Sequence, residues 1–523
     1  MKRALGAALS CLLVLSSCAP NQPADEPRKA ISYAVEEPIT LHPGRQTIAF
    51  AQDMVLFSGL TFAGKDGAIT FRNAESVTST DAVRWTIKLR PRWTFHNGEP
   101  VTAKSYVKAW SAVAYGPNAW ENSGQLANIA GYDALNPANG KPAATELSGL
   151  KIVDDLTFTV TLKSPDGQFP AQLSQAQTGF YPLPEAAYAD PAAFAKNPIG
   201  NGPFRMTQPY RETEPMTVDR YDGYQGPQPS VDEITFKPYT DMNTAYTDVQ
   251  AGATDILYVP NSRMGQVKKD FGDRAHVFQG LAISYLGLPL WDKRYQDIRV
   301  RQAISLAIDR EAVSKAIFDG IWEPATALTP PAQPGTPRGL CGDLCTFDPV
   351  RARKLLAEAG GFSGTMEIRF PGGFGRDDLF NAYANQLRQN LGIKDVTAKP
   401  TADFPEFFEL RTGAKLSGPY FARWGALYAS QQNTLRAIYT RTGGCSNCVP
   451  DHDPAIAQLI AKADAQVDPQ RAIAGYVDVQ KAILKRFPAP PMFFEKNVFA
   501  TSERIASLDE GAGLTLENTT LVR

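Results

Sequence analysis

Histidine is scarce in this 523-residue chain, and the four present (His42, His96, His276 and His452) are far apart and lack ligand spacing. Neither a His-Glu-x-x-His zinc helix nor a Gly-x-Ser-x-Gly elbow nor a Walker-type phosphate loop occurs. Residues 372–375 read Gly-Gly-Phe-Gly, but the third glycine of a dinucleotide fingerprint is missing and Arg376-Asp377-Asp378 follows, which reads as a loop between strand and helix. No catalytic residue set, cofactor site or metal site is expected, so the chain reads as a binding protein and not an enzyme. Charge of either sign is also missing in excess: 53 basic against 54 acidic residues give −1. Without a basic face, nucleic acid is excluded as a partner. No segment reaches the ~18 uninterrupted apolar residues of a spanning helix, and no fixed-period repeat marks a solenoid.

Cysteine is the next scarcity, and its placement is informative. Cys11 falls in an apolar run at residues 4–15, preceded by Lys2 and Arg3 and closed by Leu15-Ser16-Ser17-Cys18. A run of this length suits a cleavable signal peptide over residues 1–17. The closing residues resemble a bacterial lipobox, in which Cys18 receives lipid and becomes the new N-terminus; ordinary secretion with an incidental cysteine is the alternative. Residues 18–28 contain three prolines and no large apolar side chain, as a tether between membrane and domain would. Four cysteines remain, as Cys341-x3-Cys345 and Cys445-x2-Cys448. In an oxidising compartment they are expected to form two disulfides within the pairs; cross-pairing and a four-thiolate zinc site near His452 are the alternatives.

The exported chain of about 500 residues exceeds one core, so two or three lobes are expected. Residues 83–89 and 156–162 alternate apolar and polar side chains as half-buried strands do. Asn97-Gly98 marks a turn, and Thr102 caps a helix through Trp110. Asp297 caps a helix whose buried face is Val300, Ala303, Ile304, Ala307 and Ile308. Asp348-Pro349 opens another that stops at Gly360-Gly361, and further helices are read at 379–390 and 470–486. Arg299, Arg301 and Arg310 read as solvated or salt-bridged, and Trp85 and Trp93 as core or turn anchors.

Several motifs occur in one order along the chain: Glu37-Pro38-x-x-Leu41-x-Pro43; Trp85-Thr-Ile-Lys-Leu-Arg90 with Trp93-Thr-Phe-His-Asn-Gly-Glu-Pro-Val-Thr-Ala103; and Ile199-Gly-Asn-Gly-Pro-Phe204. They continue with Val231-Asp-Glu-Ile-Thr-Phe236, Ala251-Gly-Ala-Thr-Asp-Ile256, residues 297–311, and Phe347-Asp348-Pro349 through Gly360. Over nearly the whole exported length, the chain resembles the oligopeptide- and dipeptide-binding proteins (solute-binding family 5) of ABC importers. The resemblance implies a mixed α/β, periplasmic-binding-protein-like fold of type II with two main lobes, a hinge and an extra lobe. Lobe one would comprise residues 29–70, 195–280 and 498–523, lobe two 71–194 and lobe three 281–497. It further implies a monomer that needs no cofactor and closes on its solute for importer membrane subunits to recognise. A siderophore, haem, nickel complex or oligosaccharide is the alternative ligand class.

In peptide-binding relatives a segment Arg-x-Gly-Trp-x-x-Asp-Tyr carries an aspartate that holds the ligand's α-ammonium group. The matching segment here is Phe421-Ala422-Arg423-Trp424-Gly425-Ala426-Leu427-Tyr428. Trp424 and Tyr428 match, Leu427 replaces the aspartate, Phe421 replaces the arginine, and Arg423 stands at the glycine. Trp424, Arg423, Leu427, Tyr428, Phe421 and Glu37 are therefore the candidate ligand-binding residues, with Glu37 the acid that could replace the missing one. Without such an acid, the expected ligand lacks a free α-amino terminus or offers Arg423 an anion.

Overall fold

The alternation at residues 83–89 folds as the strand Arg84–Leu89, whose side chains lie alternately out and in, and that at 156–162 as Thr157–Thr161. With Ala74–Thr78 and Leu150–Asp154 they form a four-stranded antiparallel sheet. It packs on the helix Ala103–Ala114, whose first turn is tied by the Thr102 N–H donating to Ser105 Oγ at 3.2 Å. Trp85 and Trp93 are core residues of this region. The computed structural model describes residues 28–48, 50–174, 180–373, 375–510 and 514–522. The expected signal peptide, Cys18 and all of the tether but Arg28 lie outside the described residues, as does Phe374.

The larger element is an eleven-stranded mixed sheet. Its path runs Val396–Thr401, Met366–Pro371, Tyr420–Gly425, Ala275–Gly287, Pro491–Thr501, Ile256–Tyr258, Ala30–Val35, Glu233–Pro238, Met216–Arg220 and Phe204–Met206, with Glu323–Pro324 beside Pro491–Thr501. Two long strands, Ala275–Gly287 and Pro491–Thr501, pair antiparallel near the middle of that order. Their register shifts between Phe278 and Ala282, and there Gly280 lies against the Glu495 carbonyl so closely that no side chain fits. One apolar core gathers residues from Ile31 to Phe236 with Phe499, Ile505 and Leu516; a second joins Ala245 and Val249 to the helices and strands after Leu286; a third lies under the last two helices.

The expected helices form at Ile298–Leu306, Pro349–Glu358, Asp377–Leu391 and Pro469–Arg486. Asp297 caps the first by accepting the Arg299 N–H at 2.8 Å, and Asp348 caps the second by accepting that of Arg351 at 2.9 Å. Arg299 is ion-paired to Asp297 at 2.6 Å, as read from the sequence. Arg301 and Arg310 are different: both are buried, and neither has an ion-pair partner among the described residues. Arg301 donates to the carbonyls of Tyr295, Gln296, Arg486 and Phe487, and Arg310 to those of Ser305, Ile308 and Pro491. Arg301 thereby ties its helix to the chain just before Pro491–Thr501, and Arg310, which opens the helix Arg310–Phe318, ties that helix to the first residue of the strand. Burial pulls the Arg310 guanidinium down to about 10. The residues that supply these carbonyls lie up to 186 positions away, so the sequence pattern does not reveal them.

Both cysteine pairs are joined in the structure, Cys341 to Cys345 and Cys445 to Cys448, with Cα separations of 5.7 and 5.2 Å. Cys448 is fully buried and accepts a hydrogen bond from Arg411 at 3.3 Å. Among the described residues, no group of three or more His, Cys, Asp or Glu side chains is placed to hold a metal ion, and no helix is long and apolar enough to cross a membrane.

Candidate functional site

A cavity of about 720 Å³ lies where the segments 50–72, 173–174, 181–224, 258–281 and 423–428 converge with Asn497 and Glu517. Its size falls within the range of about 300–1,000 Å³ usual for small-molecule sites. Eight aromatic side chains face it: Phe50, Phe57, Phe62, Tyr181, Tyr224, Tyr258, Trp424 and Tyr428. Met54, Leu173, Leu281 and Leu427 add aliphatic surface. Its described charged residues are Arg72, Arg423 and Glu517.

The wall from Phe50 to Gly59 is fixed by two of the sequence motifs. His96, from the Phe-His-x-Gly turn, accepts the Gly200 N–H at Nδ1 (3.2 Å), and its Nε2 lies 3.1 Å from the Gly202 carbonyl, to which it donates. Burial pulls this imidazole down to about 4, so it is neutral and can fill both roles. Gly202 N–H in turn reaches the Leu56 carbonyl at 2.9 Å, and no Cβ fits at either glycine. Asn201 then grips Ser58 from both sides, accepting its N–H at 3.0 Å and donating to its carbonyl at 2.9 Å. His96 thus does more than serve its turn: with Asn201 it sets where Phe57 and Ser58 meet the cavity.

The opposite wall is the strand Tyr420–Gly425 and the loop after it. Asn433 Oδ1 accepts both Trp424 Nε1–H (2.9 Å) and the Leu427 N–H (3.1 Å), which leaves the indole ring, and not its N–H, for a solute. The Tyr428 hydroxyl donates to Gln432 Oε1 at 2.5 Å, and Gln432 donates to the buried Asp166 at 2.8 Å. Asp166 and Asp464 flank Arg436 at 3.3 and 2.7 Å, tying the segment 166–172 to the helices Gln431–Tyr439 and Pro454–Asp464. Gly167 completes this junction by donating to the Asp464 carbonyl at 2.6 Å, against a Gln466 carbonyl that leaves no room for a side chain.

Of the six candidate residues, the structure brings Trp424, Arg423, Leu427 and Tyr428 to the cavity. Phe421 packs instead among Phe380, Phe407 and Arg376, and Glu37 lies outside the lining, where it accepts the Thr213 N–H at 3.0 Å. The carboxylate that does line the cavity is Glu517, missed in the sequence because nothing near the C-terminus distinguishes it. It is buried, 3.9 Å from Arg72, and burial pushes its carboxyl up. Arg72 also donates to the Tyr224 hydroxyl at 3.1 Å and lies 4.2 Å above the Phe62 ring.

The family model for bacterial extracellular solute-binding proteins, family 5 (middle region), matches residues 70–445. The chain belongs to that family. Among curated relatives it is 26% identical to the probable deoxycholate-binding periplasmic protein YgiS of Escherichia coli K12, over 92% of both chains. It is 28% identical to the glutathione-binding protein GsiB of Salmonella paratyphi A, over 89% of both. In solved structures, the unliganded open form of the periplasmic murein tripeptide binding protein MppA superposes with a TM-score of 0.81 at 21% identity, covering 95% of this chain and 98% of that one. The family 5 chain thus has the mixed α/β periplasmic-binding-protein fold, and the proteins it resembles are solute-binding proteins and not enzymes.

Proposed function

We propose that this chain captures peptides or peptide-like solutes outside the cytoplasm and delivers them to the membrane subunits of an ABC importer. The observation that carries this reading is the 720 Å³ aromatic cavity between two walls built from distant parts of a family 5 chain. Aromatic faces hold varied side chains by area and shape, which suits a solute class more than one compound. The relative named for glutathione agrees with a short peptide-like ligand. Residues 29–70, 195–280 and 498–523 form lobe one, 71–194 lobe two and 281–497 lobe three. The long strands Ala275–Gly287 and Pro491–Thr501 are the hinge about which lobes one and three close. The protein acts as a monomer and needs no cofactor.

With Glu37 held by Thr213 and Leu427 in the wall, no free acid of the described lining meets an α-ammonium group, so a blocked, cyclic or otherwise amine-free ligand end is expected there. Mass spectrometry of solute retained by the protein from its native host tests the class: peptide-like masses, one per chain, are expected, whereas a steroid, sugar or metal chelate would overturn it. Cys18 carries the lipid that holds the protein at the membrane's outer face; Cys18→Ala is expected to move it to the soluble fraction, and unchanged membrane fractionation would refute the anchor.

A further inference from the structure

Behind the cavity wall, two guanidinium groups share one carboxylate. Glu495 accepts from Arg423 Nε at 2.6 Å and from Arg376 Nη1 at 3.4 Å. Glu495 and Arg376 are sealed from solvent, with side chains 6% and 7% exposed; Arg376 is wedged between the rings of Trp322 and Phe421, and its Nε has no hydrogen-bond partner among the described residues. The next residue, Lys496, is answered by Glu323 at 2.8 Å and does not alter this balance. Burial pushes Glu495 up, but Arg423 and Arg376 outweigh it and hold its carboxyl below the usual range, so the carboxylate stays charged. The trio therefore carries one surplus positive charge. Only Arg423 lines the cavity, its terminal nitrogens unclaimed by any described residue, whereas Arg72 is already answered by Glu517 and Tyr224.

We infer that the solute carries an anionic group that docks on the terminal nitrogens of Arg423, and that Arg376, through Glu495, is a positioning residue supplying the surplus charge that selects it. The inference deepens the proposed capture role and rests on it. The Arg423 side chain is 36% exposed and lies at the cavity, so its unanswered charge is open to a counter-ion, and a carboxylate, sulfonate or phosphate meets it through paired N–H···O bonds. The aromatic walls take an apolar body attached to that anion. The ligand class is therefore an amphipathic anion with its charge at the Arg423 end, such as a hydrophobic peptide with a free carboxylate.

A matched pair of dyes tests the charge alone: 8-anilinonaphthalene-1-sulfonate and N-phenyl-1-naphthylamine share one aromatic skeleton and differ by the sulfonate. In fluorescence titration the wild-type protein is expected to bind the sulfonate at least about tenfold more tightly. Arg423→Met removes that preference. Arg376→Met, which leaves the cavity lining intact, narrows it, and Glu495→Gln, which frees both guanidinium groups, widens it; a merely structural trio would not move the ratio in opposite directions. Melting curves identify folded variants, and the wild-type ratio stands without them. Equal affinity for the two dyes, no binding of either, or a ratio unmoved in folded Arg376→Met and Glu495→Gln overturns the inference. N-acetyl-triphenylalanine as free acid and as amide separates the two levels of the reading. If neither form binds while the dyes discriminate, the peptide reading alone fails; if both bind equally, the anion site alone fails.

Discussion

Leu427→Asp is expected to convert the cavity into one that prefers a free amino terminus. Leu427 lines the cavity between Trp424 and Tyr428, and its backbone N–H is fixed by Asn433, so a carboxylate introduced there stays in the wall. A hydrogen bond to a charged partner contributes about 1.5–3 kcal/mol, which is about 10- to 150-fold in affinity. Calorimetric titration with one peptide in free and N-acetylated form should show that ratio shift towards the free amine in the variant. An unchanged ratio would mean that Leu427 does not stand where an α-ammonium group would lie. The same change adds a negative charge to the wall that contains Arg423, so anionic solutes should bind more weakly.

The second large effect is on stability and its pH dependence. Arg436 stands between Asp166 and Asp464, whose side chains are 1% and 0% exposed. Removing one partner of a buried ion pair costs about 3–5 kcal/mol; since 35% of the Arg436 side chain is open to solvent, Arg436→Met should fall near the lower end of that range. Asp464 also accepts from the Tyr476 hydroxyl at 2.7 Å, and burial pushes its carboxyl from 3.8 to about 6 despite Arg436. A carboxyl raised in the folded state favours folding below pH 3.8, and that contribution is lost as pH rises through 6. Without Arg436 the rise is larger. The variant's deficit, read by denaturant unfolding, should therefore be greatest at pH 8 and shrink towards pH 5. A deficit that grew on acidification would show that Asp464 is held ionised instead.

The local elements were legible because their causes are local. Period-two alternation gave Arg84–Leu89, and Asp297 and Asp348 each cap within three residues of themselves. The cysteine pairs span three and four residues, so spacing alone nearly decided them. Four of six candidate ligand residues reached the cavity for a similar reason: they occupy one strand end and its loop. What stayed hidden depends on contacts between distant segments. Arg301 and Arg310 look like surface charges until folding places the carbonyls of Phe487 and Pro491 over them. Glu517 and Arg72 meet across 445 positions, and Glu495 gains its significance only with Arg376 and Arg423 on either side. Glu37 stands near the start of the described chain with the right chemistry, but Thr213 claims it.

Capture of an amine-blocked peptide is checked by calorimetric titration of the wild-type protein with an N-acetylated hydrophobic tripeptide bearing a free carboxylate. One site per chain is expected, with affinity at least equal to that for the free-amine form and recovery of the peptide intact. Strong preference for the free amine, or cleavage of the bound peptide, would contradict it.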